Sequence, residues 1–270
     1  MGSTLKTRLE LNVVGAGDWK VQKDRHPSCF VLSIGDTKVL LDCGFGALGQ
    51  MASYDIDPLN IDEVWITHFH ADHLADLLPL LIDRFLKEKQ RDTPLKPLTL
   101  RGPAGFAERV TTLYSLFCAE AVRDPRLVIY EARQVFSLGS AECTTVPVNH
   151  IPGHQSVGFE VRCAGHVFLY AGDASGPLES QPDEFQRAMC YADTVLLSAG
   201  APPKTVGGAH IDVETAISWA LGTNIQRLLI SHVPTPHMND AYRYAEAQGK
   251  QGKLEQISIL EDGDDLRMSD

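Results

Sequence analysis

An α/β chain with an α+β arrangement, built as a four-layer αββα sandwich, is the fold class that three observations in this sequence predict. Strand-like stretches come first, then strands mixed with helices, and that order runs twice along the 270 residues. Four apolar runs end at or just before metal-capable side chains: Val64-Trp65-Ile66 before His68, then runs ending at His150, Asp173 and His232. Buried strands that enter one sheet edge bring such ends together. Hydrophobic residues make up 44% of the chain, enough for one substantial core, so residues 1–270 read as a single domain.

The elements follow from the apolar spacing. Residues 9–14, 29–34 and 38–42 predict strands, the last two joined by a turn at Gly35-Asp36-Thr37. A helix is expected over 74–89, led by the histidine-rich segment, then a short strand at 98–100 and a helix over 105–120. Strands are expected at 127–130, 142–148, 159–163 and 167–170. Helices at 183–191, 213–221 and 239–248 alternate with extended segments at 194–198, 227–231 and 255–259. Asp212 suits the N-cap of the 213–221 helix and Gly222 its end. The Asp-rich tail from Glu261 is expected to be frayed or solvated.

Composition bounds the setting. No apolar run approaches the ~20 residues that span a bilayer, and Met1 to Lys6 lacks the apolar core of a signal peptide. Cys29, Cys43, Cys118, Cys143, Cys163 and Cys190 are scattered without C-x-x-C spacing, and several sit within apolar segments and read as buried thiols, which suits a reducing cytoplasm. Cys43 beside Asp42 reads as a packing residue.

The chemistry concentrates in Thr67-His68-Phe69-His70-Ala71-Asp72-His73, which places three imidazoles and one carboxylate within six residues. Core packing does not account for so dense a set at a strand end. A hydrolytic zinc centre takes about three or four protein ligands per metal and keeps a position for water. His150, Asp173 and His232 are the candidates that complete it; His154, four residues past His150, is the rival to His150. His150 is preferred because it ends an apolar run directly. His26, His166 and His237 have no comparable setting.

From Val13 to His232 the chain resembles the metallo-β-lactamase superfamily, and within it the branch around ribonuclease Z, the tRNA 3′-processing endonuclease. Gly15-Ala16-Gly17 with Arg25 and Ser28, Leu40-Leu41-Asp42-Cys43-Gly44, the histidine array and Gly102-Pro103-Ala104-Gly105 carry the resemblance, followed by His150, Gly172-Asp173, His210 and Ser231-His232. The resemblance implies two Zn²⁺ ions, with Mn²⁺ or Fe as alternatives. One would be held by His68, His70 and His150, the other by Asp72, His73 and His232. Asp173 would bridge them together with a water or hydroxide, and Asp42 would hydrogen-bond the histidine loop. The iron-based redox relatives carry Glu where His70 stands, so hydrolysis is implied. Four positive charges against Asp72, Asp173 and a hydroxide leave the cluster near about +1, able to stabilise a phosphoryl transition state.

Asp72 and His210 are the implied catalytic residues, His210 as a proton donor to the departing group or a phosphate contact. Asp76 stands where the ribonuclease Z pattern has Gly, and either contacts a ligand or caps a turn. Gly102-Pro103-Ala104-Gly105 at a helix start suits a phosphate, or is only a tight turn. Between Phe159 and Gly172 there is room for a hairpin, not for the tRNA-binding arm of long bacterial ribonuclease Z chains. The balance of 24 Lys+Arg against 35 Asp+Glu, a net charge of -11, adds to that departure. Arg84, Lys87, Lys89, Arg91, Lys96, Arg101 and Arg109 do cluster in one segment, which reads first as a solvated helix face. The expected activity is therefore a zinc phosphodiesterase acting on a small anionic ester, with nucleic acid a disfavoured partner and a homodimer the expected assembly. A ribonuclease Z-like endonuclease, a lactonase, an arylsulfatase-like esterase and a metal-binding ligand sensor are the alternatives.

Overall fold

The computed structural model describes residues 8–91, 96–131, 134–205 and 207–268. The amino-terminal segment read for a targeting signal lies outside them. The first half runs β1 (Leu9–Gly15), β2 (Cys29–Ile34), β3 (Thr37–Leu41), α1 (Ala47–Ser53), β4 (Glu63–Trp65), α2 (Ala71–Leu74), α3 (Leu77–Glu88), β5 (Thr99–Gly102), α4 (Phe106–Leu116) and β6 (Val128–Glu131). The second runs β7 (Val135–Leu138), β8 (Ala141–Val148), β9 (Ser156–Cys163), β10 (His166–Gly172), α5 (Asp183–Tyr191), β11 (Thr194–Ser198), α6 (Val213–Leu221), β12 (Arg227–Ser231), α7 (Met238–Gly249), β13 (Gln256–Ile259) and β14 (Asp265–Arg267).

These strands form two seven-stranded sheets, ordered β14-β1-β2-β3-β4-β5-β6 and β13-β12-β11-β10-β9-β8-β7. Each begins with antiparallel hairpins and continues through parallel strands: β3 to β6 in the first, β10 to β13 in the second. Parallel strands bury both faces, and β11 reads buried at every position. Leu11, Phe30, Trp65, Phe159, Phe168 and Tyr170 fill the space between the sheets, where Trp65 stacks on Phe159 at 4.9 Å. Leu77, Leu80, Phe106 and Val110 pack helices α3 and α4 on the outer face of the first sheet. Phe185, Ile217 and Trp219 do the same for α5 and α6 on the second. The four layers are those expected.

Three departures have physical causes. The helix over 74–89 is broken after Leu74, because the Asp76 backbone N–H donates to Cys43 O and its carboxylate accepts the Leu48 N–H at 3.0 Å. Asp76 thus serves the first turn of α1, an element hidden in the sequence by its glycines. The tail is not frayed: β14 pairs with β1, Met268 is buried, and Asp262 accepts the N–H groups of Ala16 and His26. Asp262 and Asp264 satisfy backbone donors, while Asp265 stays exposed to solvent as the composition suggests. Two of the seven basic residues leave the surface: Arg84 is buried and donates to the carbonyls of Pro58 and Ile61, and Arg101 pairs with Glu63 at 2.8 Å. No helix of the described residues is long and apolar enough to cross a membrane.

Candidate metal centre

The parallel strands, together with the antiparallel β8, release their ends along one edge, and every loop of the centre starts there. Asp42 follows β3, His68 to His73 follow β4, His150 follows β8, Asp173 follows β10 and His232 follows β12. Two of these ends are bent into the left-handed region, Asp42 at φ 56° and His232 at φ 64°. Asp tolerates that region through local hydrogen bonding, whereas for His it costs on the order of 1–2 kcal/mol. The strain sits where a side chain must turn back over the sheet edge. Close approach also demands glycine: a Cβ on Gly44 would lie 2.2 Å from the Asp72 carbonyl, and one on Gly200 2.7 Å from His232 Nδ1.

Asp42 organises the histidine loop. Its carboxylate accepts the Thr67 N–H at 2.7 Å, the Thr67 hydroxyl at 2.8 Å, His73 Nδ1 at 2.6 Å and the Tyr170 hydroxyl at 2.5 Å. Because the carboxylate accepts, His73 must carry its proton on Nδ1, which leaves Nε2 free to ligate. Since Thr67 Oγ1 donates to Asp42, it accepts from His68 Nδ1 at 3.0 Å and leaves His68 Nε2 free as well. Three hydrogen bonds therefore set two tautomers.

Beyond this support, His68 Nε2 lies 3.0 Å from His70 Nδ1, which is 3.3 Å from His150 Nε2. Tetrahedral zinc with bonds of 2.0–2.1 Å holds its nitrogens about 3.3 Å apart, so the spacing fits. His232 Nε2 is 2.9 Å from Asp72 Oδ2, and His73 Nε2 is 3.7 Å from the same oxygen. Among the described residues two groups offer converging donors, His68, His70, His150 and Asp173, and Asp72, His73 and His232. Between them stands Asp173: its Oδ2 is 3.4 Å from His73 and His210, 3.7 Å from His150, and 3.8 Å from His68 and His232.

Electrostatics points to missing positive charge. Both oxygens of Asp173, His73 Nε2 and His232 Nδ1 are buried without a hydrogen-bond partner, which costs several kcal/mol for a carboxylate unless a cation meets it. Burial pushes the Asp173 carboxyl up, yet the imidazoles of His73 and His232 outweigh it and hold it well below the usual range. Burial likewise pushes His73 down, but Asp173 and Asp42 outweigh it and raise it well above an ordinary imidazole. The field that favours a proton on His73 favours a metal cation in the same place. Burial lowers His68 well below its ordinary value and His150 to about 4, keeping both neutral with a lone pair to give.

His210 also reaches the centre. Its ring lies 4.9 Å from that of His150 and 5.0 Å from that of His232, and burial lowers its pKa. His154 does not join: it is exposed and lines, with His68, His70, His150 and Arg109, a cavity of about 190 Å³ at the mouth. His26 is tied to Asp262 and His166 to Thr194. At the helix start after Gly102, Glu131 accepts the Gly105 and Phe106 N–H groups. That carboxylate occupies two of the amides a phosphate would use there, which favours the tight turn over the phosphate site. Tyr170 carries no motif of its own; its place three residues before Asp173, on the inward face of β10, was its only signal.

Comparison with known proteins extends the description. The sequence profile described as Metallo-beta-lactamase superfamily matches residues 23–210, well over half of the chain. Ribonuclease Z from Mycobacterium bovis is 24% identical over 267 residues, spanning 92% of this chain and 95% of that one. The metallo-β-lactamase fold protein YhfI from Bacillus subtilis superposes with a TM-score of 0.78 at 19% identity, over 97% of this chain and 100% of its own. A diphosphatase of the PhnP family gives 0.70 at 20% identity, over 97% and 98%.

Proposed function

Because the chain belongs to the metallo-β-lactamase superfamily and is a metal-dependent hydrolase acting on ester bonds, we propose that it is a dinuclear zinc phosphodiesterase for a small anionic ester. The observation that carries this reading is Asp173, whose single Oδ2 lies within 3.4–3.8 Å of five imidazole nitrogens and has no hydrogen bond of its own. His68, His70 and His150 would hold one ion, Asp72, His73 and His232 the other, with Asp173 shared. Two Zn²⁺ ions bound there would supply Lewis acidity toward phosphoryl oxygens and a water made nucleophilic near neutral pH.

The chain's own residues do the rest. Asp42 and Thr67 keep His73 and His68 in ligating tautomers, and Asp72 adds a second carboxylate charge against the two cations. Tyr170 and His73 hold Asp42 in turn. His210, one-fifth exposed against the rings of His150 and His232 and 3.4 Å from Asp173, would pass a proton to the departing alkoxide from its imidazolium form. The mouth cavity of about 190 Å³ is smaller than drug-sized pockets, which begin near ~300 Å³, and suits a compact ester.

A second reading, a ribonuclease Z-like endonuclease, is favoured by similarity to ribonuclease Z over 92% of this chain. Against it, β9 and β10 are joined by a bare turn at Ala164-Gly165 instead of an arm, and Arg84 and Arg101 are withdrawn from the basic segment. The test is turnover of bis(p-nitrophenyl) phosphate by metal-loaded protein, with a precursor tRNA assayed alongside. Hydrolysis that chelation abolishes and Zn²⁺ or Mn²⁺ restores is expected. Cleavage of the tRNA alone would transfer the assignment to the second reading, and turnover that survives full metal removal would end both.

A further inference from the structure

The phosphodiesterase reading leaves a cation unused. Arg109, on α4, is exposed, and its guanidinium lies 4.0 Å over the ring of Phe69, the residue between ligands His68 and His70. Phe69 in turn stacks on Phe106, which is fully buried, at 6.1 Å and 27°. The guanidinium thus rests over a two-ring support anchored in the core, a contact that Arg makes more readily than Lys. Among the described residues no carboxylate lies within ion-pair distance of it, and its hydrogen bond is a long one, 3.4 Å to Gly105 O. In a chain of net charge -11, a cation pinned in place without an acidic partner is unusual.

Its location gives it a use. Arg109 lines the same cavity as His68, His70 and His150, with His154 and Gln155 completing the rim. The glycine segment before α4 acquires its purpose here. A Cβ on Gly102 would lie 2.6 Å from the Phe106 ring, and Gly105 takes φ 84° to start the helix. Glu131 locks that start by accepting two of its N–H groups. These contacts fix Arg109 one turn into the helix, directly over the mouth.

The geometry points to Arg109 as a specificity-determining residue that receives a second anionic group of the substrate, a carboxylate or phosphate a few bonds from the scissile phosphorus. The inference rests on the phosphodiesterase reading and narrows it to doubly charged phosphoesters. The guanidinium offers two parallel N–H groups to such an anion, while a singly charged diester leaves it in water. A cavity of about 190 Å³ limits that second group to a compact one.

The experiment uses a matched pair: ethyl p-nitrophenyl phosphate and its 2-carboxyethyl counterpart, which differ only by the distal carboxylate. The full chain, metal-loaded, is expected to prefer the carboxylate ester in kcat/KM by about two- to fivefold, the scale of one exposed ion pair. Arg109→Ala should bring that ratio close to one, chiefly through KM, and Arg109→Lys should recover only part of it. A ratio unchanged in Arg109→Ala, or an equal fall on both esters, would overturn the inference while leaving the phosphodiesterase reading intact. If the unmutated protein cleaves neither ester, that reading falls and this inference falls with it.

Discussion

Asp42→Asn tests the support of the metal centre at a single atom pair. The substitution keeps the volume, and Asn tolerates φ 56° as readily as Asp, so backbone strain does not change. The hydrogen bonds do change. Oδ2 accepts from Thr67 Oγ1, His73 Nδ1 and Tyr170, while Oδ1 accepts the Thr67 N–H. An amide oxygen can take only one of the two positions. With the oxygen at the crowded position, the amide NH₂ faces the Thr67 N–H, donor against donor. The other three bonds lose their charge-assisted strength, in a site where Asp42 and His73 are wholly buried. A hydrogen bond to a charged group contributes about 1.5–3 kcal/mol, and a buried donor left unpaired costs about 1–3 kcal/mol. A loss of roughly 3–5 kcal/mol follows after partial compensation by the remaining neutral bonds. For a domain of this size class that lowers Tm by on the order of 10 °C. Because the proton on His73 Nδ1 is held only by a neutral acceptor, metal affinity should fall about 10–100-fold. Thermal denaturation of the apo and metal-loaded forms, with competition against a chromophoric chelator, reads both quantities. Metal affinity within twofold of the unmutated protein would refute the tautomer argument, whatever the Tm.

His210→Ala should lower kcat by about 10²–10⁴-fold on a dialkyl phosphodiester, whose alkoxide leaves poorly, and far less on bis(p-nitrophenyl) phosphate, while metal content stays near that of the unmutated protein; elemental analysis decides, and loss of metal would make His210 a ligand instead. Arg101→Ala leaves Glu63 buried with only the Trp65 indole N–H as partner and removes a guanidinium packed 3.6 Å over Phe136. It should cost about 3–5 kcal/mol, read as a Tm fall at unchanged metal stoichiometry.

Much of the fold was legible because its strands are short apolar runs and its helices follow amphipathic spacing with recognisable ends. Asp212 caps α6 through the Thr215 N–H, as the sequence suggests. What escaped was decided by partners distant in the chain. β14 looks like an acidic tail until β1, more than 240 residues earlier, offers it an edge. Asp76 looks like a candidate ligand until the start of α1 claims its carboxylate. The basic segment looks continuous until Arg84 and Arg101 turn inward to backbone carbonyls and to Glu63.

The sequence by itself determined which side chains could hold a metal. Seven imidazoles and carboxylates stand at or just past the ends of apolar runs, and strands that run in one direction release those ends along one edge. Only the tertiary structure decided how they are used, since tautomers, orphaned lone pairs and cation reach depend on distances between residues that no local pattern relates. Asp42 meets Tyr170 across 128 positions. Arg109 reaches the mouth only because Phe69 and Phe106, from separate elements, stack beneath it.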